Sequence, residues 1–166
     1  MTTAMFDINA VRAQFPALAL RHDEHPRTYL DNPAGTQVPQ RVVDRMTEAL
    51  VEFNANMHGN FNTSVQATEL VRQAHLAVGD FVNARSDREI VFGPNMTTLT
   101  FMMARALAPR FQPGDEIITT HMEHEGNNTP WRTMAAERGL VVRTVPFHLD
   151  TYELDLDAFA DMITER

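Results

Sequence analysis

The chain contains no cysteine, so disulfides, thiolate metal sites and cysteine nucleophiles are excluded. It contains no lysine either. All 14 basic residues are arginine, which leaves no side-chain amine able to form a Schiff base. No run approaches the roughly 18 apolar residues of a membrane span. The opening Met1-Thr-Thr-Ala-Met-Phe-Asp7 lacks the charged and apolar stretches of a signal peptide. Positive charge is scarce, with 22 acidic residues against 14 basic ones and a net charge of −8. That balance argues against duplex nucleic acid as a partner, because such a binder needs a basic face to replace phosphate counterions. The chain also lacks a Gly-x-Ser-x-Gly elbow, a Walker loop and a Gly-x-Gly-x-x-Gly fingerprint.

What is present is enough to fold. A chain of 166 residues that is 43% hydrophobic and 22% charged can bury a core and is no disordered tail. Asp7 reads as the cap of a helix over Asp7–Phe15, stopped by Pro16. Thr28–Asp31 reads as a short strand entering the tight loop Asn32–Thr36. Pro39 suits the first turn of a helix to about Asn54, with Val42, Val43, Met46, Leu50 and Phe53 at helical spacing. The Asn-rich stretch Asn54–Asn62 is loop, and Ser64 is the expected cap of a helix reaching Ala84. Beyond it the pattern alternates. Strands are expected at Glu89–Phe92, Glu116–Thr120 and Leu140–Val145. Helices are expected from Met96 to Leu107, from Asn128 or Pro130 to Gly139, and from Asp155 or Asp157 onward. Alternation of this kind implies an α/β fold with a mainly parallel sheet built from crossovers. So few strands leave a parallel sheet short of cover, so the chain is expected to be the front part of a larger domain, a small complete three-layer fold being the alternative.

Three clusters could carry chemistry. At Gly93–Thr98 a strand is expected to turn into a helix N-terminus, where backbone N–H groups and the helix dipole favour an anion; ordinary capping would leave the same pattern. His121-Met-Glu-His124-Glu-Gly-Asn-Asn128 follows a strand, where ligands sit in open parallel sheets. Its His-x-x-His spacing invites zinc, but no third ligand is specified, so no metal is expected. The loops Asp31–Thr36 and Asn54–Asn62 carry Gly35 and Gly59, which suit turns or a close backbone approach. Residue pattern alone ends at a parallel α/β fold with an anion-binding turn.

Further segments carry a resemblance. Thr28-Tyr-Leu-Asp-Asn-Pro-Ala-Gly-Thr-Gln-Val-Pro39, Ser64–Arg72, Phe81–Ser86, Ile90–Thr98 and Met122–Trp131 occur in order, with Gln112-Pro-Gly-Asp-Glu-Ile117 among them. Together they resemble class V aminotransferases, which are fold type I pyridoxal phosphate enzymes, and within them the cysteine desulfurase-like group. The resemblance implies a three-layer αβα large domain, incomplete here, over residues 27–166, preceded by a helical segment over 1–26. It implies pyridoxal 5'-phosphate as cofactor, with Asn95, Met96 and Thr97 at its phosphate, His124 stacked on its ring as the catalytic residue, and Asn127 in the same pocket. It places Ala34 and Gly35 on the substrate side. Relatives usually show a Gly-Thr-Thr-Glu type of run where this chain has Pro-Asn-Met-Thr, and often Arg-Gly where it has His58-Gly59.

The implied activity is transferase or lyase chemistry on an amino-acid substrate by a cytoplasmic homodimer, with neither nucleic acid nor membrane as partner. In such enzymes the Schiff-base lysine lies later in the chain. The expectation is therefore an N-terminal fragment that is inactive alone. A non-catalytic interaction or dimerisation module on the same fold is the alternative, and a small metal-binding protein using His121 and His124 is a third reading.

Overall fold

The structure, a computed structural model, describes residues 6–166. The first five residues, on which part of the signal-peptide reading rests, lie outside that range. Two compact units divide the chain, one ending at Ile90 and the other running from Val91 to Arg166.

In the first unit, α1 (Ile8–Arg12) is capped as expected by Asp7, whose carboxylate accepts from the Asn9 and Ala10 amides at 3.0 Å. It ends earlier than predicted, and Pro16 opens a 3-10 turn over Pro16–Ala19. Strands β1 (Arg21–His22) and β2 (His25–Pro26) form a tight hairpin, with Asp23 and Glu24 at φ 45° and 64° in the left-handed region that such two-residue turns require. Thr28–Asp31 is not a strand, and Asn32–Ala34 is a 3-10 turn. Helix α2 (Gln40–Val51) follows Pro39 as expected. Its apolar stripe faces solvent, with Val42, Val43, Met46 and Leu50 all exposed.

Helix α3 (Asn62–Phe81) starts two residues before the predicted cap. Ser64 therefore does not cap it. Its buried hydroxyl donates to the Asn56 carbonyl at 2.5 Å and accepts from the Gly59 amide at 2.7 Å. Thr68, one turn on, accepts from the His58 amide at 3.0 Å and so braces His58 at φ 68°. Gly59 lets the loop come this close, since a Cβ there would lie 2.9 Å from the Ser64 hydroxyl and 2.7 Å from the Phe61 ring. On the surface of α3, Arg72 and Gln73 donate to Glu69. Their hydrogen bonds, Arg72's foremost, lower its carboxyl to about 2.

The second unit has its own core. Glu89–Phe92 is not a strand: Asp87–Glu89 forms a 3-10 turn, and the residues after it enter neither of the two sheets among the described residues. Helix α4 (Met96–Leu107) has the predicted bounds, and Asn95 caps it by accepting from the Thr98 amide at 2.9 Å. Strand β3 (Glu116–Thr120) pairs in parallel with β4 (Val141–Val145), Glu116 opposite Val141 and Thr120 opposite Val145. Helix α5 (Glu125–Arg138) is the crossover between them and ends at Gly139, whose φ of 70° is the left-handed closing conformation. Helix α6 (Leu156–Met162) is capped by Asp155, which settles the choice between the two aspartates.

The buried residues of this unit are Ala104 of α4, Gly126, Pro130, Met134 and Ala135 of α5, and Val145 of β4. Glu116 accepts from Arg143 across the sheet and from the Thr164 hydroxyl at 2.8 Å. The fold is thus α/β, with a parallel pair joined by a crossover helix; the strands expected at Thr28–Asp31 and Glu89–Phe92 are not formed, and the small β1–β2 hairpin lies where no strand was expected.

Candidate active site

The second unit brings two helix N-termini together, those of α4 and α5. At α4, Asn95 takes up the Thr98 amide, while the Met96 and Thr97 amides have no acceptor among the described residues. The first turn of a helix cannot satisfy its own N–H groups, so these two point their partial positive charge outward. No acidic residue stands in that first turn.

Helix α5 begins three residues earlier than Asn128 and five before Pro130, where it was predicted to start. The reason is a side chain that propensity does not rank as a cap. Nδ1 of His124 accepts from the Gly126 amide at 2.9 Å and so does the work of an Asp or Asn. Pro130 consequently lies inside the helix, buried, where it removes one backbone donor. The backbone N–H of His124 donates to the Glu123 carboxylate at 2.8 Å. Glu125 in the first turn accepts from Thr129 at 2.6 Å and from Asn128 at 3.4 Å; these hydrogen bonds, Thr129's first, hold its carboxyl below the ordinary range.

The two N-termini meet at Gly126. A Cβ on this residue would lie 2.5 Å from Oγ1 of Thr97, 3.0 Å from Nδ1 of His124 and 3.2 Å from Cε1 of the same ring. The Thr97 hydroxyl and the edge of His124 therefore converge on one α-carbon, and any side chain there would displace one of them. Beside this cradle, Trp131 donates through Nε1 to Oδ1 of Asn127 at 3.3 Å, one helical turn apart. Asn127 and Trp131 form the common wall of two concavities. One, of about 460 Å³, is bounded on its far side by Asn95, Met96 and Leu99. The other, of about 430 Å³, runs along β3 past Thr119, Thr120 and Glu123.

Of the residues singled out in the sequence, Asn95, Met96, Thr97, His124 and Asn127 all lie in this unit. Ala34 and Gly35 lie in the other, exposed at the end of the 3-10 turn, where the Gly35 amide donates to Asn32 at 3.1 Å. His121 and His124 are joined by no third ligand, since no group of three His, Cys, Asp or Glu side chains is placed to hold a metal ion among the described residues. Sequence reasoning missed Gly126 and Trp131. Trp131 was within reach, because Asn127 and Trp131 stand four apart on one helix face. Gly126 carried no signal beyond being a glycine in a loop-like stretch.

This arrangement has recognised relatives. A model of the aminotransferase class-V family matches residues 28–166, and the chain belongs to that family. A probable cysteine desulfurase from Synechocystis sp. is 39% identical over 159 residues, which is 94% of this chain and 37% of the relative. Among solved structures, the apo cysteine desulfurase from Thermococcus onnurineus NA1 superposes with a TM-score of 0.80 at 31% identity, over 94% of this chain and 37% of that one. A C-DES mutant with glycine covalently linked to its PLP cofactor superposes with a TM-score of 0.70 at 25% identity, over 92% and 38%. The chain thus spans about two fifths of the length of the relatives it matches. Among the described residues no helix is long and apolar enough to cross a membrane.

Proposed function

We propose that the chain carries the phosphate-holding and ring-facing part of a pyridoxal 5'-phosphate-dependent, cysteine desulfurase-like enzyme that acts on an amino acid. The observation that carries this reading is the convergence of the Thr97 hydroxyl and the His124 ring on the side-chain-free Gly126. The donor set fits a phosphate monoester. The Met96 and Thr97 amides and the Thr97 hydroxyl would hold it at the α4 N-terminus, with Asn95 fixing the turn. When bound, the cofactor supplies an aldehyde and an electron-withdrawing pyridine to an amino-acid substrate.

The chain's own residues have narrower tasks. His124 presents a flat ring tethered at Nδ1, which suits holding a planar ligand in one orientation. Asn127, with its amide oxygen held by Trp131, lines the pocket. Ala34 and Gly35 are the substrate-side residues of the same reading, which also includes a cytoplasmic homodimer, residues 27–166 as large-domain sequence and residues 1–26 as a leading segment. The names of the relatives, cysteine desulfurases, support an amino-acid substrate. Covalent attachment is no task of this chain's side chains, because it has no lysine.

The test is an amide-resolved titration of the chain with pyridoxal 5'-phosphate and, separately, with pyridoxal. The phosphate-bearing ligand should move the Met96, Thr97 and Gly126 amides, and pyridoxal should leave Met96 and Thr97 in place. Equal responses to both, or a response elsewhere only, would sink the assignment of the α4 N-terminus.

A further inference from the structure

His124 caps a helix with a ring nitrogen, and that contact decides where its proton sits. A backbone amide can only donate, so Nδ1, 2.9 Å from the Gly126 nitrogen, must offer a lone pair. We infer that the Gly126 amide is a positioning group that fixes neutral His124 as its Nε2–H tautomer, so that the ring offers a hydrogen-bond donor at Nε2 and no free basic nitrogen.

Three physical terms favour that tautomer. A proton on Nδ1 would set two N–H groups face to face. It would also strip the acceptor from the amide of a buried residue that has little access to water. And it would turn the positive end of the ring's N–H dipole toward the positive end of α5. The charged groups around the ring do not outweigh these terms. On its own segment stand His121, Glu123, whose carboxylate is engaged by the His124 backbone N–H, and Glu125, engaged by Thr129 and Asn128. Farther along α5 comes Arg132. Helix α4 offers the Thr97 hydroxyl and no titratable side chain before Arg105, and the only one on β3 is Glu116, which is held by Arg143. The carboxylates favour an imidazolium electrostatically, yet each already accepts a hydrogen bond, whereas the Gly126 amide has His124 alone.

Combined with the cofactor reading above, on which only this corollary rests, His124 meets the ligand as a neutral plane with one donating edge. It can accept a proton only at Nδ1, by giving up the cap of α5. Proton removal from a substrate would then fall to another group.

Long-range proton–nitrogen spectra of the 15N-labelled full chain read the tautomer directly, with the His124 signals assigned by their loss in His124→Asn. Above the ring's titration, Nδ1 should show the shift of a bare nitrogen and Nε2 that of a protonated one. Hydrogen exchange of the Gly126 amide should quicken about tenfold as the ring protonates, the factor one net hydrogen bond is worth. Its dependence on pH should track that of the ring's own signals. In His124→Asn, which caps without titrating, Gly126 should stay protected and lose the pH step. A proton on Nδ1, or Gly126 exchange indifferent to the ring's protonation, would overturn the inference. If the variant fails to fold, through-bond correlations from the His124 backbone in a 13C,15N-labelled sample assign the ring instead, and neither readout needs the cofactor, so failure of the pyridoxal phosphate titration is a separate result.

Discussion

Both units leave large apolar residues exposed, but they differ in how many they bury. From Val91 onward, α4, α5 and the β3–β4 pair enclose Ala104, Met134, Ala135 and Val145, each no more than 3% exposed. Up to Ile90, Ala67 is the one hydrophobic side chain buried among the described residues; Ser64 and Gly79 are buried with it. Met46, Leu50, Val51 and Phe81 stand in solvent. The first unit is ordered by polar braces and helix propensity, the second by a hydrophobic core. The predicted cofactor contacts at Asn95–Thr97, His124 and Asn127 sit on the unit that has the core, where packing can hold side chains in fixed geometry.

The largest expected effect tests that division head on. Met134→Ala should destabilise the second unit by about 2–5 kcal/mol, through lost burial and the cavity left behind. The lone tryptophan, Trp131, reports on this unit by fluorescence during denaturant unfolding. Met46→Ala removes the same side chain from α2, where it is 60% exposed, and should change stability by no more than about 0.5 kcal/mol. Equal losses at the two methionines would mean that the second unit's core does not carry its stability.

How far the residues announced this division depended on local signals. Helix α4 was legible to the residue, because Asn95 is a strong cap and its apolar positions repeat at helical spacing. The β3 and β4 boundaries and the Gly139 stop were legible for similar reasons. The failures are equally specific. Ile90–Phe92 has strand composition, but strand formation is a property of a pair, and a single segment cannot state whether it has a partner. Ser64 was misread as a cap because serine favours both capping and loop-pinning, and only the tertiary path of Asn56–Gly59 distinguishes them. The same limit hid the start of α5. A histidine cap and a proline inside the helix run against local preference, and departures of that kind concentrate at functional sites.

Ser64 offers the next test, intermediate in size. Its hydroxyl is fully buried and satisfies both the Asn56 carbonyl and the Gly59 amide. Ser64→Ala should therefore leave two backbone groups short of a partner, costing about 1–3 kcal/mol, confined to the first unit. Hydrogen exchange should show the Gly59 and His58 amides losing protection together, since Thr68 holds its half of the loop from the same helix. Unfolding monitored at Trp131 should stay where it was. Unchanged protection at Gly59 would show that polar braces do not order the first unit.

The smallest effect lies at the sheet of the second unit, and its sign follows from the direction of one shift. Hydrogen bonds from Arg143 first, and then from Thr164, hold the Glu116 carboxyl below the ordinary carboxylate range. A carboxyl whose folded pKa is depressed stabilises the fold fully above its unfolded value of about 4.3 and loses that contribution as pH falls through the folded value. Acid should therefore weaken the second unit below about pH 4, through this pair among others. Arg143 is 41% exposed, so water and salt screen the pair, and raising the ionic strength should shrink the effect. Glu116→Gln keeps one acceptor oxygen for Arg143, presents an amide N–H2 that the Thr164 hydroxyl can accept from, and cannot titrate, so its acid limb should be shallower than that of the parent chain. Comparison of the Trp131 unfolding midpoints of the two proteins between about pH 2 and pH 6 reads the difference. Superimposable acid limbs would place the pH sensitivity of this unit elsewhere and leave its hydrophobic core as the one term separating it from the first.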